Sequence, residues 1–268
     1  MSRVDRRALF TSGAAAALLA ATGVSLDAAP RSGGRLRIAV ARDGSFDAVM
    51  RRAAFDTLTE VGPDGVLRSE LATSWSGSAD ARHWMFEIRT GVSFHDGEEL
   101  IAQDIRRSLR DAGLPGAIRV DHDHMVAIDL QDGNPDLPLM LSDTRWSVTR
   151  GATIGTGLYR VAQVRDDRHF LGQRSGQHYK DGRAGWPDSV EVITIPDAKV
   201  RAEALRDGYV DVAAMPDAPD FADAAGFRVQ GTRSAIAMAA HIGVGMPKRV
   251  SDQSALDDGR IAERWWLI

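Results

Sequence analysis

The chain has 268 residues, 44% of them hydrophobic and 26% charged, with a formal net charge of -4. These proportions are ordinary for a globular chain of one large or two modest domains. The slight acidity gives no footing for a nucleic-acid or anionic-membrane partner, and the zero cysteine count excludes disulfides, thiolate nucleophiles, thiolate metal sites and lipid attachment through cysteine.

The first thirty residues differ from the rest. Arg3, Arg6 and Arg7 form a positive start, and Gly13 to Val24 (GAAAALLAATGV) is an apolar run of small residues. The run is shorter than the ~20 residues a membrane-spanning helix needs. Ala28 and Ala29 close it. This is the layout of an export signal, and Arg6-Arg7 ahead of Ala8-Leu9-Phe10 is similar to a twin-arginine signal. The expectation is a signal peptide over residues 1–30 and a periplasmic mature chain starting near Ala29.

Arg31 to Gly34 is a polar linker. Leu36, Ile38 and Val40 then alternate with Arg35, Arg37 and Ala39, which predicts a strand ended by Asp43-Gly44-Ser45. Ala53, Ala54, Leu58 and Val61 predict a short helix running into a Pro63-Asp64-Gly65 turn. Leu67 onward reads as a loop. Trp84, Phe86 and Ile88 alternate with Met85, Glu87 and Arg89, the pattern of a half-buried strand. Val92 and Phe94 resume it after Gly91, and Asp96-Gly97 supplies a turn. Ile101, Ile105, Leu109 and Ala112 recur at helical spacing, with Asp104 near the positive end of the helix dipole. Trp75, Trp84, Phe86, Ile88, Phe94, Ile105 and Leu109 are expected to be buried together.

Ile118 and Val120, then Met125, Val126, Ile128 and Leu130, predict a hairpin across Asp121-His122-Asp123-His124. Leu137, Leu139, Met140 and Leu141 form a short apolar helix or turn. Ile154 to Val164 (IGTGLYRVAQV) lacks the further glycine of a dinucleotide fingerprint, because Tyr159 and Arg160 stand in its place. Val190, Val192 and Ile193 predict a strand. Pro196 suits a helix start, with Val200, Ala204 and Leu205 as its buried stripe, Gly208 as its C-cap, and Val210 and Val212 opening the next strand. Ala235 to Val244 suggests one more strand, and Leu256 to Ile268 a closing tail.

Several clusters invite chemistry and have plainer readings beside it. Asp121, His122, Asp123 and His124 have metal-ligand chemistry, but an exposed hairpin turn accounts for them. His95-Asp96 resembles a general-base pair and is also an ordinary turn. Trp265-Trp266 can stack on a ligand or dock the tail. No Ser/His/Asp triad signature, H-E-x-x-H or Walker loop is present. The reading is therefore a non-enzyme with no cofactor and no metal.

Three ordered segments carry a resemblance. The first holds Leu71, Ala72, Ser74 and Trp75, then Ile88, Arg89, Gly91, Val92, Phe94, His95, Asp96 and Gly97, then Ala102, Asp104 and Ile105. The second holds Gly155, Thr156, Gly157, Tyr159 and Val161, and the third Ile195, Pro196, Asp197, Ala204, Leu205, Gly208, Val210 and Asp211. Together they resemble the bacterial extracellular solute-binding proteins of family 5, the receptors of peptide- and nickel-type ABC importers. Departures are Ile101 for a capping Thr, Ser69 for a proline and Leu158 for a proline.

The resemblance implies a mixed α/β (α+β) fold with a periplasmic-binding-protein-like base lobe (33–54 and 158–232) and a small second lobe (55–157). It further implies an excised third lobe, with the tail (233–268) returning to the base. It implies a solute-binding component of an ABC importer of the peptide or oligopeptide type, working without chemistry. Its partners would be a small solute, peptides included, and an inner-membrane ABC permease, with no nucleic acid. The alternative is a degenerate periplasmic interaction or scaffold protein of the same fold. Cleft-edge positions for ligand are Asp43 and Phe46, after the first strand, and Arg145 and Trp146. An arginine at such an edge can pair bidentately with a carboxylate.

Overall fold

The computed structural model describes residues 29–216, 218–230, 237–247 and 260–268. The expected signal sequence lies outside these residues, except for Ala29 and Pro30. Strand β1 (Arg35–Val40) forms where the alternation predicts it, and both of its faces are covered. Leu36, Ile38 and Val40 enter one core, with Phe46, Val49, Tyr159, Phe170 and Trp265. Ala39 enters a second core, with Ala202, Leu205 and Phe221.

Around β1 lies a seven-stranded mixed sheet in the order β10 (Tyr159–Arg165), β11 (His169–Arg174), β12 (Ser189–Thr194), β1, β13 (Val212–Met215), β15 (Ala237–His241), β14 (Phe227–Gln230). β1 runs parallel to β12 and β13, and the remaining pairs are antiparallel. Two helices accompany this sheet, α1 (Ser45–Ala54) and α4 (Ala198–Arg206).

Between α1 and β10 the chain builds a second, four-stranded antiparallel sheet. Its order is β4 (Ala72–Gly77), β5 (His83–Ile88), β7 (Met125–Asp129), β6 (Ala117–His122). Helix α2 (Ala102–Asp111) packs on its β6–β7 half. Phe86, Ile88, Phe94, Ile105, Leu109, Val126 and Ile128 form this sheet's core, with Trp75 and Trp84 only half-buried at its margin. The two tryptophans share the core-facing side of the sheet with Phe86, Trp75 directly opposite it on β4, and both remain partly exposed.

The two crossings between the sheets touch backbone to backbone. Gly157 N donates to Ala54 O at 3.1 Å. A Cβ on Gly155 would lie 2.2 Å from Ala54 O, and one on Gly157 2.5 Å from Ala54 C. Only glycine fits here because no side chain has room. Near the C-terminal end α6 (Ile261–Arg264) packs on α1, β17 (Trp266–Leu267) pairs with β16 (Val244–Gly245), and Trp265 is buried.

Local details differ from the sequence expectations. The first helix spans Ser45–Ala54, not 53–61, because Phe46, Val49 and Ala53 set its buried stripe and Gly44, at φ 90°, takes the turn that starts it. Thr59–Val61 is strand β2, pairing with β3 (Leu67–Ser69), as suits its β-branched residues. The stretch from Ala72 to Gly77, read as loop, is strand β4; its serines and threonine face water, so apolar alternation is weak there. Helix α4 starts at Ala198, with Asp197 accepting from Lys199 N and Val200 N, so the cap is the aspartate rather than Pro196. Val200 is 48% exposed; the buried side of α4 is Arg201, Ala202 and Leu205. At Ile101, which has no capping oxygen, Asp104 Oδ2 reaches back to accept from Ile101 N at 3.3 Å, the return half of a capping box.

Phe86 is fully buried at the centre of the four-stranded sheet's core. Phe86→Ala is expected to cost about 3–5 kcal/mol. A urea melt of the mature chain checks this; a loss under ~1 kcal/mol would contradict the packing described.

Candidate functional site

The four positions singled out in the sequence fall at one side of the junction between the sheets. Asp43 Oδ1 accepts from Ser45 N at 3.0 Å and from Ser45 Oγ at 2.5 Å, so it organises its own loop. Phe46 opens α1 and is buried in the base core. Helix α1 packs against the 3-10 turn Thr144–Trp146, which brings the two segments together. Within that turn Trp146 is buried in the other core, its Nε1 without an acceptor among the described residues. The Arg145 side chain is 65% exposed and lies over the Trp146 ring with its Cζ 5.2 Å from the centroid. Arg145 thus presents a largely exposed guanidinium, its Nε 3.7 Å from Asp143 Oδ1. The 121–124 hairpin lies elsewhere, at the β6–β7 turn, where His122 Nδ1 accepts from His124 N.

Beneath the junction is a buried ionic cluster that the sequence reading did not find. Lys180 Nζ donates to Asp56 Oδ1 at 2.9 Å and Glu70 Oε1 at 2.6 Å, and lies 3.4 Å from Glu263 Oε1. Arg260 Nη1 lies 2.8 Å from Glu70, 3.0 Å from Glu263 and 3.1 Å from Glu60. Glu70 Oε2 also accepts from Thr57 N and Thr57 Oγ1, and Asp56 Oδ2 from Thr156 Oγ1. Burial alone would raise the Asp56 and Glu70 carboxyls. For Asp56 the Lys180 ammonium and His178 outweigh it, for Glu70 the Arg260 and Lys180 cations do, and both stay below the usual carboxylate range. Burial works against the charge on Lys180, but Asp56, Glu263 and Glu70 hold its pKa above the ordinary lysine value. These residues sit 100 or more positions apart in part, as with Lys180 and Glu70, so no local spacing reveals them.

Above the cluster lies a cleft of about 390 Å³ between the Phe94–Gly97 turn, the Thr156–Gly157 crossing, β10 and the loop after β11. Two imidazoles brace it. His95 Nδ1 accepts from Gly155 N while its Nε2 faces Gly157 O at 2.8 Å; His178 Nδ1 accepts from Lys180 N while its Nε2 faces Thr156 O at 2.7 Å. Each ring is thus used at both nitrogens to hold the crossing. Burial lowers the His95 pKa; for His178 burial is outweighed by Asp56, and its pKa is raised.

The family model described as "Bacterial extracellular solute-binding proteins, family 5 Middle" matches residues 66–241. The chain belongs to this family. Among solved structures, it is similar to the binding protein AgaA of A. tumefaciens in complex with agropinic acid, at 21% identity and a TM-score of 0.67, over 74% of this chain and 48% of that one. It is also similar to the ABC transporter-associated periplasmic binding protein DppA of Helicobacter pylori in complex with the peptide STSA, at 21% identity and a TM-score of 0.66, over 75% and 51%. The HTH-type transcriptional regulator SgrR of Pectobacterium atrosepticum is 32% identical over 163 residues, 54% of this chain and 29% of that protein. The family 5 chain described here thus spans about half the length of the binding proteins it resembles. Its fold is the mixed α/β fold of those periplasmic binding proteins.

Lys180→Met is expected to destabilise the mature chain by about 3–5 kcal/mol, because it leaves buried carboxylates short of a partner. The pH dependence has a fixed sign. Asp56 and Glu70 have folded pKa values below their unfolded ones, so their contribution is present above an unfolded value of roughly 4 and is lost as pH falls through the folded values. Urea midpoints measured from pH 7 down to pH 3 should therefore fall on the acid side, and fall less in Lys180→Met, where Asp56 and Glu70 lose a cation that holds their pKa values down.

Proposed function

We propose that this chain is the exported solute-binding component of an ABC importer of the peptide type, holding its solute without chemistry and presenting it to an inner-membrane permease. The family match over 66–241 carries the reading. It is supported by the shared fold with DppA in its peptide complex and by the imidazoles of the junction being spent on structure. In this proposal residues 33–54 and 158–232 form the base lobe, residues 55–157 form the second lobe, and the tail from 233 belongs with the base. Arg145 is the first candidate for a solute carboxylate, since its guanidinium is largely exposed, with only a long 3.7 Å contact to Asp143, and its neighbour Trp146 is held in a core.

The 268-residue chain covers about half of DppA. A solute seated on it keeps more surface in water than in a closed pocket, and each polar contact shared with water gives up roughly 1 kcal/mol. Isothermal titration of the mature chain with a dipeptide library is expected to give weak, saturable binding, near the millimolar range, that Arg145→Ala weakens further. A dissociation constant near ~1 μM would show that this half suffices. Silence toward every peptide would favour the scaffold alternative.

Export is tested separately. Arg6→Lys with Arg7→Lys should retain the chain in the cytosol, while the parent protein should be recovered from the periplasm with an N-terminus near Ala29. Recovery of only Met1-bearing chain from the cytosol would refute export.

A further inference from the structure

We propose that the cleft at the junction of the two sheets is an oxyanion-binding site, taking a carboxylate or phosphate group, with Arg160 as its principal charged contact. The chain carries 37 acidic residues against 33 lysines and arginines, yet none of the twelve residues lining this cleft is acidic and two are arginines. Arg174 is anchored through Nη2 to Asp181 Oδ1 at 2.7 Å. Among the described residues Arg160 makes no ion pair or side-chain hydrogen bond, so its guanidinium offers a full fork to a planar anion. Ser93, Ser175 and Gln177 add neutral donors around it.

The walls are fixed in advance. His95 and His178 are locked onto the Gly155–Gly157 backbone, and that backbone is pressed against Ala54. The carboxylate behind His178, Asp56, is buried and paired with Lys180, which lessens its repulsion of an anion in the cleft. A rigid, partly enclosed site with an unspent arginine is the arrangement in which a charge-assisted hydrogen bond is strongest. Arg145, the candidate for the importer's solute, does not line this cleft.

Isothermal titration of the mature chain at constant ionic strength tests the site with three probes: inorganic phosphate, trialanine and trialanine amide. One or both anions should bind saturably, the tighter of the two naming the source, and the amide should bind at least about tenfold more weakly, the scale of one charge-assisted contact. Arg160→Gln should weaken the anion by about tenfold or more, with Arg160→Lys retaining part of the affinity. Gln177→Glu, which places a carboxylate in the cleft at an exposed position, should weaken it as well. Circular dichroism melts should be unchanged in all three variants, since neither side chain supports the core. The proposal is overturned if neither anion binds saturably, or if anion binding is the same in Arg160→Gln and Gln177→Glu as in the parent. Peptide binding that survives both substitutions would remove the cleft site while leaving the importer reading in place.

Discussion

The junction between the two sheets depends on the buried ion cluster around Lys180. One ammonium and one guanidinium, Lys180 and Arg260, hold four carboxylates from two distant stretches: Asp56, Glu60 and Glu70, then Glu263. Taking these charges out of water is costly, and their mutual attraction offsets that cost only when all partners are in place. Such a cluster adds less to net stability than an apolar core of equal volume. What it does is penalise every arrangement in which one segment is displaced, because the remaining charges are then buried without partners. The tail is thus held by charge as well as by Trp265, and the crossing, the Lys180 loop and the tail are fixed together.

The cleft inherits its rigidity from this cluster. Thr156 joins Asp56 through its hydroxyl and His178 through its carbonyl, so the same few residues form the roof of the ionic cluster and the floor of the cleft. A ligand at the junction meets groups already held in position, which lowers the ordering cost of binding. In that division of labour both nitrogens of His95 and of His178 are committed to backbone groups.

Much of the fold was legible because its signals are local. Alternation marked β1, β5 and β7, helical spacing marked α2, and the Gly155-Thr156-Gly157 crossing stood out by residue type. Strand β4 was not legible, since an edge strand with Ser74 and Ser76 outward lacks an apolar period. The α1 boundary was misread because Ala53 and Ala54 fit the end of one helix as well as the start of another. Val200 was placed inside because it is apolar, whereas Arg201 is buried by donating to Ala214 O, Ile195 O and Pro196 O. Asp43, Phe46, Arg145 and Trp146 were read as cleft-edge positions from their place in the chain; that Phe46 and Trp146 are core residues follows only from packing. The Lys180 cluster was invisible, because charged residues scattered along a sequence read as surface until the fold brings them together.

The irregular strands have a consequence for solubility. Pairing slips between Val161 and Gln163 on β10, between Ala72 and Ser74 on β4, and between Val120 and His122 on β6. These three strands are terminal members of the two larger sheets, and the remaining terminal strand, β14, is only four residues long. A bulge interrupts the even row of unpaired amides and carbonyls that another chain needs for strand addition. Sheet margins of this kind give no long, regular template for self-association.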